Sequence, residues 1–278
     1  MWECRPGAWI FDMGQNFSGW CRLRVCGPAG TEVKLRHAEN IDDDGALGDW
    51  TNGRALNTDT YILNGQGDEV YEPSFTYHGF QYVELTGYPG VPTLDCLDGR
   101  VVSSDCRRTG EFRCASELIN HIHHCTVWSQ RSNMVGLPTD NNMRDERLGW
   151  AGDAHVTAEE AMCNFEAPRF YRKWLRDLKL GQDAETGDVP YISPRGDVNG
   201  TPCWSSAYPL IVWYFYEHYG DRRILEEHLD HLARYVDFLG TTGDGHILPR
   251  DRYGDHCTVI DGWERGEPDL ATTFFYYW

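Results

Sequence analysis

The hydrophobic pattern of this chain changes its period near residue 108, and that change limits the fold more than any other feature. Before it, apolar and polar residues alternate, as in "CRLRV" (21–25) and "EVKLRH" (32–37). This is the period of a β-strand with one buried face. Turn sequences such as "GPAG" (27–30) and "GYPG" (87–90) separate the runs. Short alternating strands divided by regular turns predict an antiparallel β-sandwich.

After this point the apolar residues recur at spacings of three and four, which predicts helices. Ser116 can cap the first helix, and Pro168 and Gly181 bound a later one. Residues 206–220 are apolar nearly all round, so they predict a buried helix. Asp221 can cap the helix that follows. The predicted apolar stripes of the first and last of these helices are Leu118, Ile119, Ile122 and Cys125, and Leu225, Leu229, Leu232, Val236 and Leu239.

Composition narrows the class of protein. A hydrophobic content of 41% is ample for packed cores, and a formal net charge of −18 disfavours nucleic acids and anionic membranes as partners. The sequence contains no run of about 18 apolar residues that could span a membrane, and its first residues show no secretory signal pattern. The ten cysteines are scattered without a C-x-x-C pair, and "HIHHC" (121–125) follows a helical pattern. These features predict reduced, buried thiols, a cytoplasmic protein and no metal or other cofactor.

One short stretch, "LPTDNNMRDERLGWAGDAH" (137–155), concentrates charge beside an indole. Gly149 and Gly152 disfavour a continuous helix, so we predict a loop that enters a helix near Asp153. One interpretation is an ion-paired helix entry, in which arginines neutralise the carboxylates and Trp150 packs below them. The other is a sugar-cleaving site, where a carboxylic acid protonates the leaving oxygen and indoles cover the sugar ring. From the spacing alone, both interpretations remain open.

Two other loops could reach the same site. Trp204 stands in "GTPCWSSAYP" (200–209), and the polar segment "RYGDHCTVIDGWERGEPD" (252–269) lies between later predicted helices. Each of these signals alone is weak, because a single tryptophan more often has a structural role in the core than a role in a site.

These residues also resemble a known family. "RDERLGWAGDAH" (144–155) is similar to the signature of the family 78 glycoside hydrolases, the bacterial-type α-L-rhamnosidases. "FDMGQNFSGWCRLRVCGPAGTEVKLRHAE" (11–39) resembles the β-sandwich before their catalytic domain, and "WSSAYPLIVWYFYEHYGD" (204–221) resembles part of their catalytic barrel. The resemblance extends along essentially the whole chain. It implies a β-sandwich over residues 1–108 and the first half of an (α/α)6 barrel over residues 109–278.

The resemblance also implies roles for individual residues. Glu146 matches the general acid of the family. His256 stands where many members have tryptophan, and Ser206 stands where many have aspartate. The residues that match those holding the rhamnose or lining its pocket are Asp140, Arg144, Trp150, Asp153, Trp204 and His256.

The implied activity is hydrolysis of terminal α-L-rhamnose from rhamnose-containing glycosides or oligosaccharides, with inversion and without a metal. Inversion needs a second carboxylate as a base, and the resemblance places that base in helices beyond residue 278. The chain alone is therefore expected to be a truncated, inactive part of such an enzyme. Two alternatives remain open, namely a non-catalytic sugar-binding or assembly fragment and another (α/α)6-barrel glycosidase. Assembly of a full-length protein into a homo-oligomer also remains open.

Overall fold

The computed structural model describes residues 1–195, 201–249, 253–254 and 268–278. The chain divides into two compact units. The sheet unit comprises residues 1–104, 114–135 and 141–147, and the helical unit comprises residues 105–113, 136–140 and 148–278.

The sheet unit is built from antiparallel strands and one helix. Its elements are β1 (Trp2–Arg5), β2 (Ala8–Cys26), β3 (Glu32–Ala38), β4 (Asn40–Ile41), β5 (Leu47–Gly48), β6 (Thr58–Ile62), β7 (Asp68–Tyr71), β8 (His78–Thr86), β9 (Leu97–Val101) and α1 (Glu117–Ser132). Seven strands form one sheet in the order β1-β2-β8-β3-β6, with β7 and β9 also paired to β2. The long strand β2 pairs with β8 along its first part and with β9 and β7 along its last part. Within this sheet, β2 therefore pairs with every other strand except β3 and β6. Strands β4 and β5 pair with each other in a separate ribbon.

The alternation predicted from the sequence is confirmed in β2 and β3. Cys21, Leu23 and Val25 are buried on one face of β2. In β3, Val33 and Leu35 are buried in the same core. Alternation identifies the buried face because successive side chains of a strand point to opposite faces.

The helical unit contains six helices and a short β-ribbon among the described residues. Its elements are β10 (Arg107–Arg108), α2 (Ala151–Asn164), β11 (Phe165–Glu166), α3 (Pro168–Gly181), α4 (Pro202–Ser205), α5 (Ala207–Tyr219), α6 (Arg223–Thr242) and α7 (Pro268–Tyr277). Helix α5 packs against α2, α3 and α6. The core of the unit includes the fully buried side chains of Tyr171, Trp174, Tyr208, Phe215 and Tyr235.

The predicted cap of α1 and the predicted ends of α3 are confirmed. The Ser116 hydroxyl accepts a hydrogen bond from the Ile119 N–H at 3.5 Å, at the start of α1. Pro168 and Gly181 are the first and last residues of α3. Capping is a local effect, so the local sequence is enough to predict these ends. The predicted cap of α6 is wrong: the residue before the helix is Arg222, which makes no side-chain cap bond, and the Asp221 carboxylate accepts from the Arg223 N–H at 3.1 Å.

The predicted apolar stripe of α1 is wrong. Leu118 is 70% exposed, and Ile119 and Ile122 are also exposed. The buried residues of this helix lie near its end and include Val127 and Gln130. The unit therefore covers only the last turns of α1, whereas the hydrophobic pattern is strongest in the first turns.

The predicted stripe of α6 is also partly wrong. Leu239 is buried as expected, but Leu229 and Val236 are exposed. The buried face instead carries Ile224, His228, Tyr235 and Leu239. A hydrogen bond of 2.6 Å between the Tyr208 hydroxyl and His228 Nδ1 holds this face inward. The buried imidazole of His228 thus has a hydrogen-bond partner, as a buried polar group requires, and Leu229 beside it faces solvent.

The predicted burial of α5 is right only in part: six of its thirteen residues are buried, whereas Trp213 is 50% exposed. No helix within the described ranges is long and apolar enough to cross a membrane. Every cysteine in the described part of the chain is a free thiol. Only Cys21, Cys96 and Cys203 among them are buried, so the prediction of buried thiols is right for these three alone. Cys257 lies outside the described residues.

Candidate active site

The loop that carries Glu146 is closed at its base by a pair of residues in the helical unit. The Asp140 N–H donates to the Leu148 carbonyl at 3.0 Å, and the Asp140 carboxylate accepts from the Leu148 N–H at 2.8 Å. These two hydrogen bonds join the ends of the segment 141–147, which we call the acid loop. Asp140 therefore has a structural role in addition to any contact with a ligand.

Within the sheet unit, Glu146 lies beside an arginine and an amide. Its Oε2 accepts from Arg144 Nη2 at 2.9 Å and from Asn141 Nδ2 at 3.4 Å. The Glu146 side chain is 30% exposed, and that of Arg144 is 50% exposed. A carboxyl group in this setting is accessible to a ligand and held by two hydrogen bonds, which is the positioning that a general acid needs.

The neighbouring charged residues of the acid loop have other partners. Asp145 accepts hydrogen bonds from Arg54 Nε at 2.9 Å and from the Arg54 N–H at 3.3 Å. These contacts lower the pKa of Asp145, and the main-chain N–H has the largest effect. Arg147 donates to the Tyr77 carbonyl at 2.7 Å and stacks on the Tyr77 ring. Burial lowers the pKa of the Arg147 guanidinium. Of the two predicted arginine neighbours of Glu146, only Arg144 forms an ion pair with it among the described residues.

In the helical unit, Trp150 is held by a short main-chain ladder. The Ser193 N–H donates to the Gly149 carbonyl, and the Ala151 N–H donates to the Tyr191 carbonyl, both at 2.9 Å. A Cβ atom on Gly149 would lie 2.0 Å from the Ser193 carbonyl oxygen. The ladder therefore requires glycine at position 149, because no side chain fits between the two strands.

The two predicted tryptophans belong to one aromatic cluster of the helical unit. The rings of Trp204 and Tyr253 are 4.7 Å apart, and those of Trp150 and Tyr253 are 5.8 Å apart. Tyr191 completes the cluster, 5.7 Å from Trp150. A Cβ atom on Gly152 would lie 2.5 Å from Trp204 Nε1, so this glycine allows the indole to cross the start of α2.

Asp153 is exposed in the first turn of α2. The N-terminal end of a helix attracts negative charge, so this position favours the ionised form of the Asp153 carboxylate. Ser206 is buried immediately before α5. His256 lies outside the described residues, as does most of the segment 252–269.

Tyr191 and Tyr253 are the members of the cluster that sequence analysis missed. Tyr253 falls in the polar segment 252–269, which the sequence did single out. Tyr191 gives no local signal, because it meets Trp150 only through the ladder between residues distant in sequence.

One group of side chains has the residue types and proximity of a metal site. The ligand atoms of His37, Asp59 and His78 all lie within 4.8 Å of one another. However, the two imidazole rings stack at 4.2 Å with an interplanar angle of 17°. The nitrogen lone pairs, which lie in the ring planes, are therefore nearly parallel and do not point to a common centre. His78 Nε2 hydrogen-bonds the Asp59 carboxylate at 3.0 Å. We therefore interpret the group as a buried hydrogen-bonded cluster, since tetrahedral metal ligands converge on one point.

This buried cluster predicts loss of stability in acid. Burial, and then the neighbouring His78, lower the pKa of His37 to about 3. The imidazole of an unfolded chain has a pKa of about 6.5 and therefore binds a proton that the folded protein does not. The contribution of neutral His37 should be complete above about pH 6.5 and should fall as the pH drops toward 3.

Urea unfolding at pH 7 and pH 5 would measure this effect. His37→Asn should be less stable than the wild type at pH 7 and should lose less stability on going to pH 5. His124→Asn, which changes an exposed histidine on α1, should keep the wild-type difference between the two pH values. An unchanged difference for His37→Asn would contradict the prediction.

The sheet unit carries an accessible carboxyl group, and the helical unit carries an aromatic cluster; each is a feature that glycoside hydrolases use. Residues 107–278 match the bacterial alpha-L-rhamnosidase 6 hairpin glycosidase domain. Residues 2–103 match the bacterial alpha-L-rhamnosidase concanavalin-like domain. The chain belongs to this family of bacterial α-L-rhamnosidases, so the predicted resemblance and fold class are confirmed.

Individual relatives agree with this assignment. The chain is 42% identical to an alpha-L-rhamnosidase of Streptomyces avermitilis over 98% of its own length and 26% of the relative. It is 32% identical to one of Formosa agariphila, over 93% of its length and 29% of the relative. The chain thus spans less than a third of the length of these relatives.

Solved structures give the same result. An alpha-L-rhamnosidase from Dictyoglumus thermophilum has a TM-score of 0.95 and 45% identity, and the match covers 100% of this chain and 32% of that one. The Streptomyces avermitilis enzyme complexed with L-rhamnose has a TM-score of 0.95 and 40% identity, with 99% and 26% covered.

Proposed function

We propose that the protein containing this chain releases terminal α-L-rhamnose from glycosides, and that Glu146 donates the proton. The observation that carries the proposal is the accessible carboxyl group of Glu146, 30% exposed, on the closed acid loop of a chain that belongs to this family. Neutral rhamnosides are the substrates we propose, since the net charge of −18 disfavours anionic partners. We also propose that the protein acts in the cytoplasm.

The proposed reaction inverts the anomeric carbon. The Glu146 carboxyl group protonates the glycosidic oxygen while the bond from this oxygen to the anomeric carbon breaks. Water adds to the opposite face of that carbon and loses a proton to a second carboxylate. In this chain we assign the acid and leave the base unassigned.

The other residues are proposed to hold the sugar. Asp140, Arg144 and Asp153 offer charged groups to its hydroxyls. Trp150 and Trp204 offer apolar faces, and rhamnose, a 6-deoxy sugar, has a methyl group that suits an aromatic wall. His256 is proposed to line the same pocket.

Product analysis would test this function. The complete native gene product that contains residues 1–278 should release rhamnose from a rhamnosyl disaccharide and from 4-nitrophenyl α-L-rhamnoside. Proton NMR in the first minutes should show β-L-rhamnose as the initial product. Initial α-L-rhamnose would contradict inversion. Binding of rhamnose without any turnover would favour a non-catalytic sugar-binding protein, and turnover of other glycosides alone would favour a different glycosidase.

The role of the aromatic cluster can be tested separately. Trp204→Ala should raise KM for rhamnosides about tenfold, which corresponds to roughly 1.4 kcal/mol of lost contact with the sugar. The melting temperature should change little, because the Trp204 side chain is only partly buried. Trp213→Ala is the matched control, since Trp213 is half exposed on α5 and should leave KM unchanged. A large fall in melting temperature with unchanged KM would show that Trp204 is structural.

A further inference from the structure

Asn57, in the sheet unit, has an unusual conformation for a residue other than glycine. Its φ of 43° lies in the left-handed region, and its side chain is only 5% exposed. Such a backbone is maintained only where surrounding contacts fix it, and it is frequent at functional sites.

The main chain of Asn57 is anchored to the core of the sheet unit. Its carbonyl accepts from the His37 N–H at 2.9 Å and from His37 Nδ1 at 3.0 Å. A carbonyl oxygen only accepts, so His37 Nδ1 must carry the proton in this contact. Because His37 is fully buried in β3, the main chain of Asn57 is attached to the core of the sheet unit.

The side chain of Asn57 reaches in the other direction, to the acid loop. Its Nδ2 donates to the Met143 carbonyl at 2.5 Å. Its Oδ1 accepts from Arg147 Nη2 at 3.3 Å. Met143 and Arg147 lie on either side of Glu146 in sequence, so one amide contacts the loop both before and after the proposed acid.

Part of the acid loop borders open space, although Asn142 of the same loop is buried against Gly79. A cavity of about 390 Å³ opens along the loop and is lined by Asn57, Arg144, Asp145 and Arg147, among others. A side chain next to a cavity lacks neighbouring atoms on that side, so packing restrains it less. The amide of Asn57 is therefore well placed to fix the loop.

We propose that Asn57 is a positioning residue for the general acid: through Met143 and Arg147 it holds the acid loop so that Glu146 meets the glycosidic oxygen. This role rests on the proposed function. Misplacement of a reacting group by about 1 Å can cost about 10²-fold in rate.

Asn57→Gly separates this role from a purely conformational one, because glycine adopts the same φ without strain but has no amide. In the complete native gene product, the variant should lose about 10- to 100-fold in kcat on a rhamnosyl disaccharide. On 4-nitrophenyl α-L-rhamnoside it should lose less than about threefold, because a good leaving group needs little protonation. Asn64→Gly, an exposed asparagine in the loop after β6, is the matched control and should behave as the wild type.

The role of Asn57 would be overturned if Asn57→Gly kept wild-type rates on both substrates. Equal losses of rate on both substrates would also overturn it. Should Asn57→Gly fail to fold, Asn57→Asp decides, because it keeps the shape of the side chain and the acceptor for Arg147 but not the donor to the Met143 carbonyl. That variant should lose about three- to tenfold in kcat on the disaccharide alone, and the absence of a selective loss would overturn the role. A wild-type protein without rhamnoside hydrolysis would instead overturn the proposed function, and this role with it.

Discussion

Glu146→Gln in the complete native gene product should lower kcat/KM on a rhamnosyl disaccharide by about 10²- to 10⁴-fold, the usual contribution of general acid catalysis. Glutamine keeps the shape of the side chain but cannot donate the proton that a poor leaving group requires. The loss on 4-nitrophenyl α-L-rhamnoside should be much smaller, since nitrophenolate leaves without assistance. Initial rates on the two substrates measure the effect.

The matched control for this change is Glu159→Gln. Glu159 is exposed on α2, and its substitution removes the same charge without altering the acid loop, so both rates should stay at the wild-type level. Equal losses on the two substrates with Glu146→Gln would indicate a role in binding or structure. Wild-type rates on both would remove Glu146 from the mechanism.

Trp174→Ala should lower the free energy of unfolding of the helical unit by about 3–5 kcal/mol, the usual cost of truncating a buried aromatic residue. Trp174 is completely buried in α3. Its Nε1–H donates to the Ser193 carbonyl at 3.2 Å, so truncation leaves a cavity and removes that hydrogen bond. Urea unfolding followed by circular dichroism at 222 nm measures the loss.

Two further variants distinguish the sources of this effect. Trp174→Phe keeps most of the ring but not the N–H, so its loss should be intermediate. Leu180→Ala lies on the same helix but is 84% exposed, and it should change stability by less than about 0.5 kcal/mol. A loss below about 1 kcal/mol for Trp174→Ala would mean that the site collapses around the missing ring.

Local sequence was sufficient for the type and limits of several elements. Alternation identified the buried faces of β2 and β3, and cap residues identified the ends of α1 and α3. These features follow from the periods of strand and helix and from hydrogen bonds within a few residues. The motif "RDERLGWAGDAH" likewise pointed to the family that residues 107–278 match.

Where the local sequence allowed two similar outcomes, tertiary contacts decided between them, as for the buried face of α6 and the ion-pair partner of Glu146. The hydrophobic pattern of α6 favoured Leu229, but the adjacent face is buried, where His228 and Tyr208 share a hydrogen bond. In sequence, Arg147 is adjacent to Glu146 and Arg144 is two residues away, so both arginines were expected beside the carboxyl group. In the structure Arg144 forms an ion pair with Glu146, while Arg147 binds the carbonyl and ring of Tyr77.

The sequence by itself determined the order of strands and helices, the family and the position of the proposed acid. Only the tertiary structure gathered Tyr191 and Tyr253 around Trp150 and joined Asn57 to the acid loop. The physical reason is that periodicity and capping act over a few residues along the chain. The contacts that build the site join residues about 40 to 100 positions apart, and their pairing depends on how complete elements pack.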